Sequence, residues 1–255
     1  MATYKKRGYK PKTKAERRDK ELEKSATAEV FSTLDESASK SEQWVARNQN
    51  YIIGVIGVVA VAVLGYLAYV QFVQNPKEQN AANEMFYPQQ YFANAVNSPT
   101  AQDSLYNLAL NGAEGKYGFL DIIDEYKGTK AANLAHYSAG MAYLNLQQYE
   151  NAIEHLENFS SDDIILGSLA KGGIGDAFVQ LGQSEEALSY YEQAFDHNTN
   201  NFTTPKFLYK AGITALELDQ KEKAMGYFQR IKDNFSESDE AANIDVFIGM
   251  AKSRQ

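Results

Sequence analysis

Three histidines, His136, His155 and His197, are the side chains of this sequence whose ordinary pKa lies near neutral pH. A hydrolytic zinc centre of the H-E-x-x-H kind needs two imidazoles one helical turn apart, and no such pair occurs. Each histidine is read as a structural residue. The segment "LAKGGIGDAF" has the glycine density of a phosphate-binding loop. No strand pattern precedes it and no G-K-[ST] follows, so Gly173 and Gly175 are read as sites of close helix packing. Asp121, Asp124 and Glu125 have the spacing of a solvated helix face, and the Asp162–Asp163 pair is expected to begin a helix. The sequence has no cysteine, which removes zinc-thiolate sites, disulfides and a thiol nucleophile. These residues predict a protein without catalytic, cofactor-binding or metal-binding residues.

The elements that must position these residues repeat. "AHYSAGMAYLNLQQYENAIEHLENF", "AKGGIGDAFVQLGQSEEALSYYEQAF" and "FLYKAGITALELDQKEKAMGYFQRI" align with a Gly, an Ala twelve residues on, and a large apolar residue four beyond that. The triplets are Gly140–Ala152–Leu156, Gly175–Ala187–Tyr191 and Gly212–Ala224–Phe228, stepping by 35 and 37 residues. A small residue on each of two helices lets their backbones approach, and the bulky residue one turn later fills the gap against the next repeat. The pattern resembles the tetratricopeptide repeat, a helix-turn-helix of about 34 residues. Tyr143, Phe178 and Ala215 occupy the position where that family has Tyr, so the third repeat is the least typical. Thr204 is expected to cap a helix with Pro205 at its first position, and Ser184 to cap another.

Upstream, "NAANEMFYPQQYFANAV", "SLYNLAL" and "KYGFLDIIDEYKGTKAANLA" read as helices. Pro88 is expected to kink or start one and Gly128 to stop one. Downstream, "EAANIDVFIGMAKSRQ" reads as a capping helix with a more polar outer face. The fold class is all-α: one N-terminal transmembrane helix followed by a solenoid of antiparallel helix pairs.

In tetratricopeptide arrays the first helices line a concave groove. Transferred residue by residue, that resemblance implies Tyr137, Met141 and Leu144, then Asp176 and Val179, then Tyr209, Ile213 and Leu216 as the partner groove. Lys206 is its one basic member, and no Asn stands at those positions. This composition argues against a clamp for a terminal carboxylate and suits an apolar helix or an extended unfolded segment.

Tyr51 to Val73 is 23 residues without a charge, and none occurs between Arg47 and Lys77. A hydrocarbon core of about 30 Å takes about 20 helical residues, so the stretch is long enough to span. It lies too far from the N-terminus, and is too long, for a cleaved signal. Before it stand 12 Lys/Arg against 8 Asp/Glu, and after it 13 against 25. Nine basic residues fall between Lys5 and Lys20. Basic segments tend to stay cytoplasmic, which predicts N-in, C-out. The expected parts are a basic, largely disordered cytoplasmic tail over 1–47, a transmembrane helix over 48–75 and an exterior repeat domain over 76–255. A short helix is expected near Val30, Phe31 and Leu34, with Trp44 at headgroup depth. The basic run is a topology signal, with anionic lipid or ribosomal RNA as possible contacts. Gly54, Gly57 and Ala68 form a small-residue stripe suited to another membrane helix.

The whole layout resembles the YfgM-like proteins, a family of single-span tetratricopeptide proteins of Gram-negative bacteria. The resemblance runs from about Trp44 onward and is carried by "GYLAYVQF", "YGFLDIIDEYKGTKAANLAHYSAG" and "GDAFVQLGQSEEALSYYEQA". It implies an ancillary subunit of the Sec translocon in the inner membrane, with its repeat domain in the periplasm. The implied partners are the channel subunits, a membrane-anchored chaperone of the prolyl-isomerase class, emerging secreted chains and membrane lipid. The alternative is an inner-membrane adaptor for envelope assembly, cell division or peptidoglycan machinery.

Overall fold

In the computed structural model, which describes residues 13–98, 100 and 102–253, those residues are predominantly helical, with no strand among them. It divides into two units, Met1–Tyr69 and Val70–Gln255.

Among its described residues the first unit forms one helix, α1 (Lys14–Tyr69). Over 1–47 the sequence leads us to expect largely disordered chain, but the described residues from Lys14 onward are helical. The reason lies in composition. No Gly or Pro occurs between Lys12 and Ile53, and Ala, Glu and Lys are abundant there. The basic run starting at Lys5 begins outside the described residues. Trp44 is exposed, as is nearly all of Tyr51–Tyr69. Among the described residues one helix is long and apolar enough to cross a membrane, with mean hydropathy 2.4 and none of that window buried.

The second unit opens with a π turn (Val70–Gln74) that passes into α2 (Asn75–Glu84). After Met85 the chain re-enters a helix, α3 (Phe86–Asn97), with Pro88 in its first turn, where an amide donor is not needed. Next come α4 (Gln102–Asn111) and α5 (Phe119–Glu125). Gly128, with φ +84°, then turns the chain into α6. Tyr106, Leu110, Phe119 and Ile122 fill the core of this part.

Three helix pairs follow. They are α6 (Lys130–Asn145) with α7 (Tyr149–Glu157), α8 (Leu166–Gln180) with α9 (Ser184–His197), and α10 (Thr203–Glu217) with α11 (Lys221–Asn234). Each helix packs on the next, and the first helices α6, α8 and α10 also touch in sequence. The packing is close at the glycines. A Cβ added to Gly140 would lie 2.5 Å from Cγ of Leu156, one on Gly175 2.6 Å from Cε1 of Tyr191, and one on Gly212 2.3 Å from Cε1 of Phe228. Ala152, Ala187 and Ala224 are completely buried. Each bulky residue therefore lies first on the glycine of its own repeat. Leu156 and Tyr191 also reach onward, to Gly173 and to the ring of Phe207 in the following repeats.

The caps differ from expectation. The amides that open α10 are held by Asn200, whose Oδ1 accepts from Phe202 N at 2.9 Å and Thr203 N at 2.7 Å. Thr204 and Pro205 sit inside the first turn, and Thr204 Oγ1 accepts from Asn200 N. Asn200 reaches the free amides first because its side chain folds back over its own turn. Ser184 is the first residue of α9 rather than its cap, since Gly182 and Gln183 close α8 immediately before it. The array ends in a 3-10 turn (Asp239–Asn243) and α12 (Ile244–Ser253). Ile244, Ile248 and Ala251 face inward, but the outer face keeps Val246 and Met250 exposed, so it is less polar than the sequence predicts.

Candidate functional site

The first helices present two clefts. One, of about 600 Å³, is lined by Met141 and Leu144 from α6, Asp176 and Val179 from α8, Tyr191 from α9 and Lys210 from α10, with Asn145, Gln147, Tyr149 and Gln180 at its polar end. The other, of about 630 Å³, lies between α10 and the C-terminal elements. Lys206, Tyr209 and Lys210 form one wall, and Asn243, Val246 and Phe247 stand among those opposite. Lys210 borders both.

Geometry explains why Lys210 sits there. Asp176 and Lys210 stand one repeat apart, and α8 beside α10 brings them together. The ammonium donates to both carboxylate oxygens, at 2.7 Å to Oδ2, and the Tyr191 hydroxyl donates to Oδ1 at 2.7 Å. Burial, followed by the Asp176 charge and this hydrogen bond, pushes the Tyr191 pKa upward, so the phenol stays a neutral donor. The wall can offer a cation, a carboxylate and amide groups to a polypeptide backbone beside the apolar surface of Met141, Leu144 and Val179.

Of the groove residues expected from sequence, Met141, Leu144, Asp176 and Val179 line the first cleft and Tyr209 the second. Three do not line either. Tyr137 stacks obliquely on Phe159, 5.2 Å between ring centroids. Ile213 is half-buried against the C-terminal core, and Leu216 is buried within it. Leu216 lies in the last turn of α10, and its carbonyl accepts from Asp219 N in the turn into α11. Lys210 was not anticipated, because its link to Asp176 shows only when adjacent repeats are superposed.

The histidines are also less scattered than the sequence implies. α6 and α7 bring Nδ1 of His136 to 3.2 Å from Nδ1 of His155, and the Tyr143 ring stacks on His155. Burial lowers both pKa values, and for His136 the neighbouring His155 adds to this. His197 lies against Lys171 at 2.9 Å through Nδ1. An ammonium can only donate, so Nε2–H is left to reach the Asp163 carbonyl at 3.3 Å. Asp163 itself caps α8, accepting from the amides of Ile165 and Leu166 at 2.8 Å, and those bonds hold its pKa down. Among the described residues no group of three or more His, Asp or Glu side chains is arranged to hold a metal.

In α1, Gly54, Gly57 and Ala68 are exposed, and a Cβ on either glycine would meet nothing within 4 Å.

Residues 74–244 match the family described as T7SS, ESX-1 secretion system protein EccA1, N-terminal domain. The match begins just past the apolar stretch and ends at the first residue of α12. No curated protein matches the chain.

Proposed function

Because the chain belongs to the family of the EccA1 N-terminal domain, a helical domain of a secretion-system protein, we propose that it is a membrane-anchored, non-enzymatic adaptor for protein secretion that holds a polypeptide segment along its first helices. The observation that carries this reading is the pair of clefts flanking Lys210, which combine apolar wall with a few fixed polar groups. An extended segment can place apolar side chains on Met141, Leu144 and Val179 and backbone groups on the polar residues.

We place the adaptor beside the Sec channel, with residues 1–47 cytoplasmic, 48–75 in the inner membrane and 76–255 in the periplasm. Support comes from the basic bias before the apolar stretch and from the resemblance to the YfgM-like family. The clients are then emerging secreted chains, and a chaperone of the prolyl-isomerase class is the companion. Gly54, Gly57 and Ala68 are the proposed contact with a channel helix, and the basic run the proposed contact with anionic lipid or the ribosome. Affinity purification of the full chain in mild detergent tests this. Channel subunits should co-purify and should be lost on Gly57→Leu. Recovery without channel subunits sinks the Sec assignment, and recovery with peptidoglycan or division enzymes instead moves the adaptor to that machinery.

A further inference from the structure

The repeat domain has two edges, and they differ in chemistry. The turns within the helix pairs are polar: Gln147–Gln148, Gly182–Gln183 and Asp219–Gln220. At the other edge, the loops between pairs expose Ile164 (45%), Ile165 (38%) and Phe202 (63%). These loops are not loose. Asp163 and Asn200 bind the amides beside them, so the apolar side chains are held outward by fixed backbone.

Hydrogen bonds connect this edge to the end of the apolar stretch. Val70, Phe72 and Val73 lie in the π turn, and one residue later Gln74 Nε2 donates to the Gly128 carbonyl at 3.4 Å. Lys77 Nζ donates to the Lys127 carbonyl at 3.0 Å, and the Glu78 carboxylate accepts from the amides of Lys130 and Ala131. The α5–α6 loop is thus tied to residues 74–78, directly after the apolar stretch. Asn133 and Ser160 then exchange bonds of 2.7 and 3.0 Å, tying the α7–α8 loop beside it. His197 bonds to the Asp163 carbonyl, bringing the α9–α10 loop next in line.

From this alignment we infer that the inter-repeat edge rests on the lipid bilayer, with Ile164, Ile165 and Phe202 inserted at the boundary between headgroups and acyl chains. The inference rests on the reading of residues 51–73 as a membrane span. Apolar side chains buried about 5–10 Å into that boundary are the usual mode of interfacial attachment. Lys127 and Lys130 on this edge are offset by the exposed Asp162 and Asp163, so the contact needs no anionic lipid.

The sequence has no cysteine, so single cysteines can carry a fluorophore in the full chain. Ile165→Cys, Phe202→Cys, Gln183→Cys and Leu64→Cys are labelled with an environment-sensitive dye and reconstituted in phosphatidylcholine vesicles containing nitroxide lipid. Labels at 165 and 202 should lose emission about two-fold, in the manner of the span label at 64, while the label at 183 keeps its emission. Quenching at 64 alone overturns the inference and leaves the span intact. Equal quenching at 183 and 202 also overturns it. A label at 64 that escapes quenching removes the span reading, and the edge contact with it.

Discussion

At the scale of single residues, the unusual pair is His136 and His155, with Asp124, Lys127 and Glu154 nearby. Both imidazoles titrate below the usual value of 6.5 because burial disfavours their charged forms. The unfolded chain therefore binds these protons more tightly than the folded one. Stability is complete above the unfolded value and falls as pH drops through the folded values. We expect the melting temperature to fall from about pH 7.5 to about pH 5, and to fall less in His155→Gln. An identical pH profile for the variant would count against the pair as the titrating element. Ala187 makes a second case. It is fully buried on α9, so Ala187→Phe should cost about 1–3 kcal/mol by overpacking, read as a lower melting temperature. The Gly–Ala–bulky triplets were legible in the sequence because each pairs residue types at one fixed spacing. The His136–His155 and Asp176–Lys210 contacts were not, because they depend on which faces two neighbouring helices turn toward each other.

At the scale of elements, the turns within the pairs show what a repeat demands of its sequence. Gln147, Gly182 and Asp219 occupy the same place in successive repeats, with φ of +59°, +73° and +57°. Only glycine takes that conformation without a steric cost. Gln147→Gly should therefore stabilise the domain by about 0.5–1 kcal/mol in thermal unfolding, and Gly182→Ala should destabilise it by about as much. Asp219→Gly should gain less, since Asp219 also pairs with Lys221 at 3.3 Å. The existence and order of the helices followed from periodicity. The cap of α10 did not: Thr204–Pro205 has the right residue types, but Asn200 competes for the same amides and wins through its own turn.

At the scale of the molecule, one apolar helix and one helical array account for the described residues. Val61→Arg, near the middle of the apolar stretch, should cost about 2.5–3.5 kcal/mol of insertion and raise the fraction extracted by alkaline carbonate. No change in extraction would argue against a span. The length of that stretch was plain in the sequence. Beyond the short helix expected near Val30, Phe31 and Leu34, the helical continuation back to Lys14 was not, because most of that charged, polar sequence gives no amphipathic period even where its residues favour helix. Lys210 has a consequence at this scale. One ammonium serves as a wall of both clefts and neutralises Asp176. A group in the α10–α12 cleft that drew Lys210 away would leave Asp176 with Tyr191 alone, and so would alter the wall of the first cleft. By thermodynamic reciprocity any coupling carried through Lys210 would run equally in both directions.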